Sequence, residues 1–234
     1  MNRAARPAVI GAAVLLAAVA PAAVTATPSA PAPASPATAL ALQAAAATAD
    51  AGHGQILFLK HCVPCHGARA WGDGPRVIPA IAGQQERYLV VQLARFATGE
   101  RQGSEIHGSA MHDTLQPADV DRPQALADLA AWLARAPRNR EPEQGEGRDL
   151  ASAERAYVRE CAGCHGTGGG GDARAVVPAI AGQHYSYLVA QLQSFTAGRR
   201  VHALFTDPSS TPSARQQQAI ADYLSRLTPP GSGP

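Results

Sequence analysis

The chain has 234 residues, of which 20 are Lys or Arg and 18 are Asp or Glu. This near balance of charge argues against a nucleic-acid-binding protein, and four cysteines are too few for a scaffold held by disulfides. Aromatic residues make up only 5% of the chain, whereas Gly and Pro are frequent, which favours small helical domains joined by irregular loops over one large core.

The first 26 residues are predicted to be a secretory signal peptide. Arg3 and Arg6 precede an apolar run over residues 8–20, and small residues at 24–26 offer a cleavage site after Ala26. The run of about 13 residues is shorter than the roughly 20 of a membrane-spanning helix, so an uncleaved N-terminal anchor is the alternative. We therefore expect an exported, soluble protein in the periplasm.

Residues 27–49 are predicted to form a disordered, Ala/Pro-rich spacer. Four prolines lie between positions 28 and 36, too closely spaced for a stable helix. The folded part of the chain is therefore expected to begin at about residue 50.

The rest of the chain contains an internal repeat. Cys62-x-x-Cys65-His66 recurs 99 residues later as Cys161-x-x-Cys164-His165, and the same shift relates the segments that follow each motif. The repeat predicts two domains of one kind, at residues 50–137 and 151–228. A polar linker, 138–150, joins them, and a flexible tail, 229–234, ends the chain.

Each copy is predicted to fold as three helices, because apolar residues recur there at helical spacing. The predicted helices span 54–61, 84–97 and 123–134 in the first copy and 151–160, 184–196 and 213–227 in the second. No alternating strand pattern competes, so the predicted fold class is all-α. Three short helices bury too little apolar surface for a stable domain, so we expect a large apolar cofactor in each core.

The C-x-x-C-H motif supplies two thiols for the vinyl groups of haem and an imidazole for its iron, all on one turn. The predicted thioether residues of two haem c groups are Cys62, Cys65, Cys161 and Cys164. The predicted proximal iron ligands are His66 and His165. A zinc site is the weaker alternative because its cysteine pairs usually lie roughly 15–20 residues apart. A thioredoxin-like pair would lack its βαβ setting and would leave both histidines unexplained.

Both copies also carry the patterns P-x-I-A-G-Q and Y-L-x-x-Q-L. Over residues 50–228 the chain therefore resembles the dihaem class I cytochromes c of the cytochrome c4 type. The resemblance implies two tandem cytochrome c domains whose first and last helices cross. It also implies an electron carrier, not an enzyme, that works in the periplasm toward terminal oxidases. Some relatives in this family serve as cytochrome subunits of dehydrogenases.

The resemblance implies roles for several matching positions. Gly54 and Phe58 should meet Trp132 in the first domain, and Tyr157 should meet Tyr223 in the second. The backbone carbonyls of Pro79 and Pro178 should accept the Nδ1 hydrogen of the proximal histidines, a bond that fixes the ring and strengthens the ligand.

Met111 is the predicted distal ligand of the first iron. The only other methionine, Met1, would leave with the signal peptide, and Met111 lies in the loop before the last helix. A thioether is a common ligand in electron carriers, and it matches the family position. The alternatives are His107 and His112.

His202 is the predicted distal ligand of the second iron. When Trp132 is aligned with Tyr223, the shift falls to 91 residues and Met111 lies opposite His202. The alternatives are an open or water-bound iron, or another residue. His184 competes for this role but is interpreted as a surface residue.

We expect electrons to pass from the second haem to the first, because methionine ligation raises the reduction potential relative to two histidines. The predicted partners are redox proteins: a quinol-oxidising complex or dehydrogenase as donor, and an oxidase as acceptor. The alternatives are a cytochrome subunit docked on a periplasmic dehydrogenase, and a haem enzyme or sensor with an open second iron. Membrane association would occur through partners or an uncleaved N-terminus. Seven basic residues are candidates to neutralise haem propionates, although most are expected to be solvated: Arg76, Arg87, Arg95, Arg101, Arg174, Arg199 and Arg200.

Overall fold

The computed structural model describes residues 34–103, 105–120, 122–206 and 211–228. The predicted signal peptide, the first part of the predicted spacer and the predicted tail lie outside these residues. Among the helices that are described, none is long and apolar enough to cross a membrane.

The described part of the chain forms ten α-helices and one 3₁₀ helix, with no β-structure beyond two isolated bridges. In chain order the α-helices are α1 Pro36–Ala46, α2 Ala51–His61, α3 Val63–His66, α4 Glu86–Ala97, α5 Ala110–Thr114, α6 Pro123–Arg135, α7 Leu150–Glu160, α8 Ala162–His165, α9 Tyr185–Thr196 and α10 Ala214–Arg226. The 3₁₀ helix, Ala203–Thr206, lies between α9 and α10. The prediction of an all-α fold is confirmed, and each predicted helix is present.

The first domain is built on the crossing of α2 and α6. A Cβ atom at Gly54 would lie 2.0 Å from the carbonyl oxygen of Asp128, so no larger residue fits between the two backbones. The atoms of α6 nearest to that position belong to Asp128 and Leu129, one turn before Trp132. Phe58 does meet Trp132, with ring centroids 4.6 Å apart.

The second domain repeats this arrangement with α7 and α10. The rings of Tyr157 and Tyr223 lie 5.7 Å apart, as expected. Tyr157 is fully buried, and its hydroxyl donates to the carbonyl of Gly166, directly after the second C-x-x-C-H motif. The helix crossing thus supports the loop that carries the motif.

The prediction of a disordered spacer over residues 27–49 is wrong for 36–46, which form α1. Pro36 occupies the first turn, where a missing N–H costs nothing, and the Ser35 side chain caps the helix by accepting from the Thr38 N–H. The following residues are mostly Ala, the best helix former. Ala37, Ala41 and Ala44 share one face and are buried, and the helix packs on α4 and α6.

Among the described residues, the packing surface of α1 is present in the first domain and has no equivalent in the second. Ala94 of α4 and Ala125 of α6 are buried there, whereas their repeat counterparts Gln193 and Gln216 are exposed in the second domain. Small residues let helices approach closely, and a glutamine would block such packing. The Glu100 carboxylate also holds α1 in place, because it accepts a hydrogen bond from the Ala37 N–H at 2.9 Å.

The two domains are joined through the last residue of each P-x-I-A-G-Q motif. The amide of Gln84 exchanges two hydrogen bonds with the backbone of Ala179, at 2.8 and 3.0 Å. The amide of Gln183 does the same with Ala80, at 2.7 and 2.9 Å. The repeated motif therefore builds an interface with approximate two-fold symmetry.

His184 belongs to this interface, so its interpretation as a surface residue is wrong. Its side chain is buried, its Nδ1 accepts from the Glu143 N–H at 3.0 Å, and its Nε2 donates to the carbonyl of Trp71 at 2.7 Å. The linker, the second domain and the first domain meet at this one ring. Its repeat counterpart Gln85 makes the matching bond to the carbonyl of Gly170.

Candidate haem centres

Each C-x-x-C-H motif lies on a single helical turn. In the first copy the N–H groups of Cys65 and His66 both point to the carbonyl of Cys62, at 3.2 and 2.9 Å, and the second copy is built the same way. None of the four cysteines forms a disulfide bond. The first cysteine of each pair packs against its domain's core, and the second is exposed to solvent.

The thiols of Cys62 and Cys161, the two that pack against the domain cores, are held in their protonated form. Burial, with a smaller effect from Cys65, raises the pKa of Cys62 to about 12. Burial, with smaller effects from Glu160 and Cys164, raises the pKa of Cys161 to about 11. Metal coordination and thiol–disulfide exchange both need the thiolate, so this environment disfavours the zinc and thioredoxin-like alternatives.

Both proximal candidates present the correct ring nitrogen. His66 donates from Nδ1 to the carbonyl of Pro79 at 3.1 Å, and His165 donates from Nδ1 to the carbonyl of Pro178 at 3.0 Å. A carbonyl can only accept, so Nδ1 carries the hydrogen and the Nε2 lone pair is available to a metal. Burial lowers the pKa of His66 to about 4 and also lowers that of His165, so both rings are neutral at pH 7.

The loops that carry these carbonyls hold backbone strain in both copies. Val77 and Val176 have φ angles of 58° and 59°, in the left-handed region that costs a residue other than glycine about 1–2 kcal/mol. Each valine directly precedes a residue of an isolated β-bridge, Asp73 with Ile78 and Asp172 with Val177. The bridge holds the turn that places the following proline carbonyl at the histidine.

Met111 lies in α5 and packs, partly buried, against the core of the first domain. The alternative ligands on either side each form a hydrogen bond through one ring nitrogen, a bond that does not by itself exclude a metal at the other nitrogen. His107 donates from Nε2 to the carbonyl of Arg76 at 2.6 Å, and His112 donates from Nδ1 to that of Phe96 at 2.9 Å. The contact of the Met111 side chain with the core supports Met111 as the distal candidate for the first iron.

His202 faces His165. Their ring centroids lie 6.1 Å apart and their planes differ by only 6°. Two imidazoles on opposite faces of one metal ion would have centres about 6 Å apart, given metal–nitrogen bonds of about 2 Å and about 1 Å from nitrogen to ring centre. The Nδ1 of His202 accepts from the Leu204 N–H at 3.1 Å, and burial is the main reason that its pKa is lowered.

Two arginines cross the domain interface in a symmetric cluster. Arg101 donates to Gln92 of its own domain at 2.6 Å and to Tyr187 of the other domain at 3.1 Å. Its repeat counterpart Arg200 donates to Gln191 of its own domain and to Tyr88 of the other at 2.8 Å. The repeat shift of 99 residues therefore extends to this pair, a signal that the sequence already contained.

The cluster carries uncompensated positive charge. Within the described residues neither arginine forms an ion pair with a carboxylate, and the buried Nε of Arg101 has no hydrogen-bond partner. Burial alone would raise the pKa of Tyr88, yet Arg200 and Arg101 outweigh it and lower the value. A buried site with two guanidinium groups and an unused donor suits the anionic propionates of haem.

The comparison with known families agrees with this geometry. A family model described as cytochrome c matches residues 51–137 and 150–228. The chain belongs to the cytochrome c family. It is of the dihaem cytochrome c4 type, and it carries two covalently bound haem c groups.

Three similar proteins define its place in the cytochrome c family. Cytochrome c4 of Azotobacter vinelandii is 34% identical over 77% of this chain and 90% of its own length. A thiosulfate dehydrogenase electron acceptor of Thiomonas intermedia is 30% identical over 70% of this chain and 76% of its own. The crystal structure of reduced cytochrome c4 from Pseudomonas stutzeri matches with a TM-score of 0.63 and 27% identity, over 77% of this chain and all of that one.

Proposed function

We propose that this dihaem cytochrome carries electrons in the periplasm from a respiratory complex or dehydrogenase to a terminal oxidase. The observation that carries the proposal is the pair of parallel rings, His165 and His202. A metal held between them would have both axial positions closed, which suits electron transfer and leaves no coordination site for a substrate.

The proposed ligand sets differ between the two haems. His66 and Met111 would hold the first iron, and His165 and His202 the second. When bound, haem iron supplies reversible one-electron exchange. The protein's residues hold the ligand rings neutral and oriented, bury the apolar faces, and neutralise the propionates through Arg101 and Arg200.

Methionine ligation raises a haem potential relative to two histidines, so electrons should run from the second domain to the first. We expect a spectroscopic redox titration of the purified holoprotein to resolve two waves. Low-temperature electron paramagnetic resonance and near-infrared spectra should assign the higher wave to a His/Met haem and the lower to a bis-His haem. Equal potentials would contradict the directional relay. A high-spin second haem would instead favour the enzyme or sensor alternative.

A periplasmic location requires that the N-terminal segment direct export. We expect N-terminal sequencing of the protein from its native host to begin at Thr27, with the holoprotein in the periplasmic fraction. An intact Met1 in a membrane fraction would show that the segment is retained as an anchor.

A second candidate function is that of a dedicated acceptor for a periplasmic dehydrogenase. It is favoured by the relative from Thiomonas intermedia, whose name describes it as a thiosulfate dehydrogenase electron acceptor. Stable co-purification with a dehydrogenase, and reduction of the cytochrome by thiosulfate only when that enzyme is present, would support this function. A purified monomer that several unrelated donors reduce equally well would favour the general carrier.

A further inference from the structure

His202 contacts two aromatic rings from different elements. Phe195 of α9 lies 4.9 Å from it, at an interplanar angle of 53°. Phe205 of the 3₁₀ helix lies 5.2 Å from it, at 69°. The two phenylalanine rings are themselves 5.7 Å apart and nearly parallel, so they form one wall against the imidazole. Together, Phe195 and Phe205 are termed the aromatic clamp.

The clamp restricts rotation of the imidazole about its Cβ–Cγ bond. A quarter turn would drive the ring edge toward the neighbouring aromatic rings, whose centroids lie only 4.9 and 5.2 Å from that of the imidazole. A half turn exchanges Nδ1 with Cδ2 but leaves the ring plane unchanged. The clamp therefore fixes the plane of His202, whichever nitrogen faces the metal.

The clamp is itself anchored to the other domain. The guanidinium of Arg200 lies over the Phe195 ring, 4.7 Å from its centroid, and donates to the hydroxyl of Tyr88 in the first domain. Phe195 is thus held on one face by Arg200 and contacts His202 and Phe205 as well. A side chain with three such contacts has little freedom to follow a rotating ligand.

Half of the clamp is specific to the second domain. The repeat places Phe96 opposite Phe195, and Phe96 is likewise covered by Arg101 at 4.4 Å. With the 91-residue shift of the last helix, however, Phe205 falls opposite Thr114. A second aromatic ring is therefore present where the distal candidate is a histidine, and absent where it is a methionine.

We propose that Phe195 and Phe205 are positioning residues that hold His202 parallel to His165, so that the second haem carries two coplanar axial imidazoles. This inference rests on the proposed ligation by His202. Parallel imidazoles split the two iron d orbitals that interact with their π systems, whereas crossed imidazoles leave these orbitals nearly degenerate. The ferric second haem should therefore give a well-resolved rhombic low-spin signal instead of the broad, single-feature signal of crossed rings.

The test is electron paramagnetic resonance of the ferric holoprotein with the variants Phe205→Ala and Phe205→Tyr. In Phe205→Ala we expect the rhombic signal of the second haem to be lost to a broad signal, or to a high-spin one if the ring leaves the metal. Phe205→Tyr keeps a ring of the same shape and should retain the rhombic signal. The signal of the first haem is the internal control, and absorbance should still report two haems per chain in every variant.

Three outcomes would overturn the proposal, and they separate it from the proposed ligation. A wild-type protein with no bis-His signal would refute ligation by His202 itself. A wild-type bis-His signal of the crossed-ring kind would retain the ligation but refute the clamp. An unchanged rhombic signal in both Phe205→Ala and Phe195→Leu would show that the plane is set elsewhere.

Discussion

The direction of a hydrogen bond distinguishes the three histidines of the proposed ligand set. His66 and His165 donate from Nδ1 to proline carbonyls, and a proximal imidazole with such an acceptor is both fixed in tautomer and more basic at Nε2. His202 instead accepts at Nδ1 from the Leu204 N–H. A neutral imidazole that accepts at Nδ1 carries its hydrogen on Nε2, so ligation through Nε2 requires that this hydrogen move to Nδ1 and that the bond from the Leu204 N–H break. His202 would then be oriented mainly by its aromatic neighbours.

Met111 is the residue on which the difference between the two haems depends. Replacing it by histidine (Met111→His) should lower the first potential by on the order of 100 mV, part of the roughly 0.8 V range that axial ligands span. The two waves of a redox titration should then move together, and the near-infrared band of methionine ligation should disappear. His112→Gln is the control, because it removes a neighbouring alternative ligand and leaves the thioether of Met111 in place. A first potential that Met111→His leaves unchanged would rule out the thioether ligand.

Asp128 links the start of α2 to α6. It is buried, and it accepts from the Asp50 N–H, His53 and Gln124, each at 2.7 Å. Burial alone would raise its pKa, but these bonds outweigh burial, so the folded-state value lies below the ordinary 3.8. The carboxylate therefore stabilises the fold above about pH 4, and this contribution is lost as the pH falls through the lowered value.

Asp128→Asn should lower the free energy of unfolding by about 1–3 kcal/mol at pH 7, because it removes hydrogen bonds to a charged acceptor. The loss should shrink as the pH approaches 3, where the wild-type carboxylate itself is being protonated. Denaturant unfolding of the holoprotein at pH 7 and pH 3 measures both effects. The exposed Asp113→Asn is the control, and equal losses in the two variants would contradict a specific role for Asp128.

Helix α1 shows why a proline-rich composition does not exclude a helix. Prolines forbid helix only within its interior, and the last of the four stands at the first helical position, behind a serine cap. The apolar period of α1 consists of alanines, whose small side chains give almost no amphipathic signal. The indication lay elsewhere, in Ala94 and Ala125, where the second copy of the repeat has glutamines.

The packing of α1 can be tested by placing a charge on its buried face. Ala41→Glu should detach the helix, because burying an unpaired carboxylate against α4 and α6 costs several kcal/mol. Hydrogen exchange followed by mass spectrometry should show loss of protection over 36–46, while both haems are retained. Ala45→Glu lies on the exposed face and serves as control. Protection that persists in Ala41→Glu would mean that α1 does not depend on this face.

At the scale of the whole molecule, the sequence predicts the parts better than their assembly. The repeat and its helical spacing predict the all-α fold. The resemblance to the dihaem cytochromes c implies the pairs Phe58 with Trp132 and Tyr157 with Tyr223, and the proline carbonyls at the histidines. The docking of the domains was not predicted, because a glutamine that exchanges bonds with a distant backbone looks like any polar surface residue. His184 resembles a surface residue in the sequence for the same reason, although its side chain is buried.

The arginine pair at the domain interface predicts that the reduction potentials of the two haems change together. Arg101 and Arg200 each reach the tyrosine of the opposite domain, and neither is neutralised by a carboxylate of the described chain. A buried positive charge favours the reduced, less positive haem. One unit charge at the distance of a neighbouring group interacts with the haem iron by about 1 kcal/mol, which corresponds to several tens of millivolts. Arg101→Gln and Arg200→Gln should therefore each lower both haem potentials by that amount.

The same redox titration, with Arg95→Gln as the control at an exposed position of α4, measures this effect. If a variant shifted only the haem of its own domain, each arginine would act locally and the crossed contacts would serve docking alone. If neither potential moved while the domains came apart in small-angle scattering, the cluster would be purely structural. Joint shifts of both waves, with the overall dimensions unchanged, are expected because the two guanidinium groups lie in one cluster that both domains share.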